Sequence, residues 1–141
     1  MTGALIAAAV LVAATAFGLV RRHRDGVLRA RRGEGGEMAE TIRPDELGAE
    51  LGEKATLLQF SSAFCAPCRA TRRVLGEVSG MVDGVAHVEL DAEAHLDLVR
   101  RLNVVRTPTV LVLDGAGRVV RRATGAPRKP DVIAALGEVI P

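Results

Sequence analysis

Cys65 and Cys68 are the only cysteines of the 141-residue chain, set three apart in the stretch SSAFCAPC with Pro67 between them. Side chains at i and i+3 share a helix face, so these two thiols can close a small disulfide ring. The preceding TLLQF is an apolar run of the kind a buried strand shows, and the following RATRRVLGEVSGMV has helical spacing. Pro67, which has no N–H and a fixed φ, suits the first turn of that helix. Cys65 is then expected at a helix N-terminus, where free N–H groups and the helix dipole favour an anion; thiols so placed have pKa values lowered to roughly 3.5–7.5. Arg69 adds positive charge one turn on. Thiolate is the species that attacks a disulfide. Cys68, deeper in the helix, is expected to be less exposed and placed to attack a mixed disulfide formed at Cys65. The chemistry open to such a pair is thiol–disulfide exchange.

Two other uses of the pair fit less well. A zinc site would need two further ligands at close spacing, and His87 and His95 fall on different elements. A static brace across so short a ring would constrain the unfolded chain little.

The elements around the pair follow from apolar patterning. ETIRPDELGAEL reads as a short strand and then a helix opening at Pro44, with Asp45 and Glu46 in its first turn. ATLLQFSS suits a central strand covered on both faces. The helix after the cysteines places Val74, Val78 and Met81/Val82 at helical spacing. VAHVELD is a second strand, EAHLDLVRRLN a helix with Leu96, Val99 and Leu102 along one side, and TPTVLVLD another buried strand. After the turn GAG, RVVRRATG returns antiparallel, and KPDVIAALGEVI closes the chain as a helix with Val132, Leu136 and Val139/Ile140 inward. Alternating strands and helices predict an α/β fold with a mixed central sheet and helices on both faces.

Residues 3–20, GALIAAAVLVAATAFGLV, contain no charge. As a helix they rise about 27 Å, close to the ~30 Å hydrocarbon core of a bilayer. We expect an uncleaved transmembrane anchor. A cleaved secretory signal is the competing reading, with Ala14, Thr15 and Ala16 as its small-residue site. Residues 21–32 carry six arginines against one aspartate, whereas residues 37–141 carry 13 Lys+Arg and 15 Asp+Glu. Basic flanks stay on the cytoplasmic side, so the folded part is expected there. Residues 21–36 are expected to be a basic juxtamembrane linker and residues 37–141 the folded domain. The basic run is short, without interleaved aromatics, and the domain has no basic excess, which argues against nucleic acid as a partner.

FCAPC after TLLQF, followed some forty residues later by RTPTVLVLDGAGRVVRRATG, resembles the thioredoxin family across nearly all of the folded part. The resemblance implies the thioredoxin fold, with Cys65 as nucleophile and Cys68 as resolving cysteine. It makes Pro108 a cis-proline facing the pair and gives Thr107 backbone groups for a bound peptide. Phe64, Ala66 and Pro67 complete the expected client-binding surface. No cofactor is implied; the partners are disulfide-containing protein clients and an external thiol reductase or other electron donor. Gln59 stands where the family usually carries a buried aspartate. An amide cannot titrate, so Gln59 is expected to orient a water or a thiol and not to act as general base. His87 is read as a solvated strand histidine. The activity so implied is thiol–disulfide exchange, and the cytoplasmic side expected for the domain favours reduction of protein disulfides. The alternatives are an extracytoplasmic thiol–disulfide exchange protein and a redox-silent client-binding module.

Overall fold

The computed structural model describes residues 2–30 and 40–141. The boundary expected between residues 36 and 37, and Arg31 and Arg32, lie outside the described residues. Among the described residues ten elements follow in order: α1 (Thr2–Arg24), β1 (Arg29–Ala30), α2 (Pro44–Leu47), β2 (Ala55–Ser61), α3 (Ala66–Met81), β3 (Val85–Asp91), α4 (Leu96–Arg101), β4 (Thr109–Asp114), β5 (Val119–Thr124) and α5 (Lys129–Val139). The strands form one sheet in the order β1-β5-β4-β2-β3. Only β2 and β3 pair in parallel; β2–β4, β4–β5 and β1–β5 are antiparallel.

The period-2 alternation of strand side chains divides the core into two layers. Leu58 and Phe60 of β2 and Leu111 and Leu113 of β4 point to one face, where Ile42, Leu47 of α2, Leu98 of α4 and Leu102 cover them. Ala55 and Leu57 of β2 and Val110 and Val112 of β4 point to the other, under Leu75 and Val78 of α3 and Val132, Ala135 and Leu136 of α5. Gln59 and Ser61 share the parity of Leu57, so the same alternation delivers two polar side chains beneath α3.

Several local expectations change. The strand expected near Thr41 is a single bridge to Arg118, and α2 is one turn long because Gly48 caps it in the left-handed conformation at φ 63. The buried stripe of α3 is Cys68, Thr71, Leu75 and Val78, with Met81 exposed. Burial of Cys68 sets the phase of that stripe. In α4 it is Leu98 that is buried and Leu96 that faces out.

The segment expected to be a linker is partly structured. Residues 29 and 30 add a short strand to the edge of β5, and Leu28 packs against the apolar layer beneath α3 and α5. Helix α1 runs on through Arg21–Arg24. It is long and apolar enough to cross a membrane, and none of its side chains is buried in the fold.

Candidate active site

Cys65 caps the N-terminus of α3 and Cys68 lies one turn inside it, with Ala66 and Pro67 opening the helix. The two sulfurs are joined in a disulfide. The Cys68 N–H donates to Cys65 Sγ at 3.2 Å, so the outer sulfur already receives a helix N-terminal donor of the type that stabilises a thiolate. The pair is asymmetric: Cys65 is half-buried, whereas Cys68 is 1% exposed.

Phe64, just before the pair, holds a left-handed backbone at φ 59. For a residue with a Cβ this costs about 1–3 kcal/mol. Its side chain is 101% exposed, so the turn from β2 into α3 presents an aromatic ring to solvent beside the sulfurs. Ala66 and Pro67 are exposed on the same turn.

The loop entering β4 faces the pair. The Thr107–Pro108 peptide bond is cis, as the resemblance implied. Thr107 Oγ1 lies 3.9 Å from Cys65 Sγ and 2.7 Å from Ser62 Oγ. Pro108 is buried, and its carbonyl accepts from the Gly125 N–H at 2.8 Å. Ser62 escaped the sequence reading because a serine in a strand-to-helix turn carries no periodic or spacing signal.

Gln59 is 0% exposed. Its Nε2 donates to Ser61 Oγ and to the Cys68 carbonyl, each at 2.9 Å, and its Oε1 faces His87 Nε2 at 3.1 Å. Gln59 thus holds the backbone of Cys68 and is not aimed at a thiol. A carbonyl only accepts, so the amide nitrogen must face Cys68; Oε1 then faces the ring, and His87 Nε2 is the donor. The reading of His87 as a solvated strand histidine is corrected: the side chain is half-buried. Its register opposite Leu57 on β2 points it under α3. Burial lowers its pKa from 6.5; Glu89 pulls the other way and Arg72 reinforces burial. Arg72 of α3 closes this flank with a two-pronged bond to Glu89 at 2.7 and 2.6 Å.

The arrangement therefore couples a half-buried sulfur, a buried sulfur and a partly apolar, exposed rim. Among the described residues no cluster of three or more metal-ligating side chains occurs.

The Thioredoxin family model matches residues 40–138. A thioredoxin of Mycolicibacterium smegmatis is 30% identical over 105 residues, covering 72% of this chain and 89% of the relative. A bifunctional thioredoxin reductase/thioredoxin of Mycobacterium leprae is 30% identical over 89 residues, 62% of this chain, and the match spans only 19% of that longer protein. Spinach chloroplast thioredoxin f superposes with a TM-score of 0.57 at 23% identity, covering 73% of this chain and 89% of the other. The family match leaves out α1 and β1.

Proposed function

This chain belongs to the thioredoxin family, and from that premise we propose that it is a membrane-anchored thiol–disulfide oxidoreductase that reduces protein disulfides. The observation that carries the reading is the asymmetry of the pair: an outer sulfur with a helix N-terminal donor, and an inner one sealed beneath α3. In the reduced protein the Cys65 thiolate attacks one sulfur of a client disulfide and expels the other as a thiolate, which takes up a proton. Cys68, deprotonated, then attacks Cys65 Sγ; the client leaves as its second thiol and the Cys65–Cys68 disulfide forms. Two electrons and two protons have passed to the client. An external donor must return them.

Phe64, Ala66 and Pro67 form the contact surface for the client, with Thr107 and Pro108 opposite. Gln59 acts as a positioning residue, since its bond to the Cys68 carbonyl fixes the first turn of α3. Residues 3–20 serve as the membrane anchor, and the arginines that follow keep the domain on the cytoplasmic side, where reducing conditions favour the dithiol.

Replacing the resolving cysteine tests the cycle. Cys68→Ser is expected to accumulate mixed disulfides with clients on non-reducing gels, and Cys65→Ser to abolish both trapping and turnover. Trapping by Cys65→Ser alone would reverse the assignment. Trapping by neither, with the pair inert to reductant, would favour a redox-silent binding module.

A further inference from the structure

The polypeptide leaves α1 at the candidate active site, with almost no slack. Asp25, the first residue after the helix, accepts from Arg106 Nη2 at 2.6 Å, and Arg106 directly precedes Thr107, whose hydroxyl reaches Cys65 Sγ. The next residue, Gly26, donates its N–H to the Thr124 carbonyl at 2.9 Å, one residue before Gly125, which bonds the Pro108 carbonyl. Gly26 sits at φ +76, and a Cβ there would lie 2.1 Å from the Ala126 carbonyl oxygen. A Cβ on Gly125 would in turn approach Gly26 N to 3.1 Å. A Cβ at Gly26 would collide with the 124–127 loop and one at Gly125 would crowd the connector, so the two glycines let these segments interlock. Leu28 and β1 then fasten the chain along β5.

The apolar stretch of α1 ends at Val20, and the four basic residues after it rise about 6 Å along the helix, the depth of a headgroup layer. Asp25 therefore emerges at the bilayer surface with the 106–108 loop attached to it. The same end of the domain exposes Phe64 beside Cys65 and, at 76%, Val105 beside Arg106.

We propose that the connector clamps the cysteine end of the domain against the membrane surface, so that its redox partners are membrane proteins presenting a disulfide next to the bilayer. This rests on the anchor reading given above. The chemistry is the two-electron exchange already written, with the reduced protein as donor; the clamp selects where the disulfide must be.

The test uses full-length, pre-reduced protein in phosphatidylcholine–phosphatidylglycerol vesicles. Two transmembrane peptides carry the same intramolecular disulfide, one beside the span and one on a Gly/Ser extension of about 30 residues, whose reach is roughly 30 Å. The surface-held disulfide is expected to react about five-fold faster, an effective-concentration advantage. Gly26→Val should remove that advantage while leaving the rate on a soluble disulfide peptide unchanged. Asp25→Ala, which leaves the backbone free to fold, should reduce it. Equal rates on the two peptides by protein that floats with the vesicles would overturn this proposal alone. Failure of the protein to float would overturn the anchor and this proposal with it.

Discussion

Gln59 shows how one residue type changes a site without changing its shape. A carboxylate at this position would titrate; the amide instead spends its hydrogen bonds on Ser61, the Cys68 backbone and His87. The titratable side chain that Gln59 bonds is therefore His87, one side chain further from the sulfurs. Its pKa is held below 6.5, by burial first, so the folded state prefers the neutral ring. As pH falls below 6.5 the unfolded chain takes up this proton before the folded one does, and stability drops until the folded pKa is passed. Denaturant unfolding of wild type against His87→Gln should show this: the wild type loses more stability between pH 7 and the lowered pKa. Identical slopes would show that His87 is not buried as described. The cysteines were legible from their spacing and types, and Pro108 only through the resemblance to the thioredoxin family. The link from His87 to Gln59 was not, because it depends on the parallel register of β2 and β3.

At the scale of elements, strands read well and helix faces less so. The strands β2 and β4 are buried along nearly their whole length because both faces are covered, and their largely apolar runs made that burial plain. In α3 the apolar pattern pointed to Met81, yet the stripe is phased by Cys68 and passes through Thr71. Thr71 Oγ1 is the buried side-chain oxygen without a hydrogen-bond partner among the described residues. A buried unsatisfied hydroxyl costs about 1–3 kcal/mol, and an apolar group of the same shape does not. Thr71→Val is expected to stabilise the protein by about 1 kcal/mol, read as a higher denaturation midpoint with an unchanged m-value. A loss of stability would place a partner on that hydroxyl. The strand β1 could not be foreseen from pattern, because two residues carry no period and its pairing depends on the exposed edge of β5.

For the whole molecule, composition separated the apolar helix from the folded part, but not how they meet. The junction depends on backbone approaches at Gly26 and Gly125, and a glycine in a basic stretch looks the same whether it is free or clamped. The sidedness proposed above rests on six arginines within residues 21–32. Two outcomes follow: the protein should stay in the membrane fraction after a salt wash, and impermeant thiol reagents added to intact cells should leave Cys65 unlabelled. Labelling from outside would move the domain to the other face and its chemistry toward extracytoplasmic exchange. The central claim is that the Cys65–Cys68 couple works as a reductant of protein disulfides, and its equilibrium potential tests that most directly. Full-length protein equilibrated against a glutathione or thioredoxin standard should titrate as one two-electron couple near the thioredoxin value of ~−270 mV. A potential near ~−120 mV, characteristic of a strong oxidant, would contradict it.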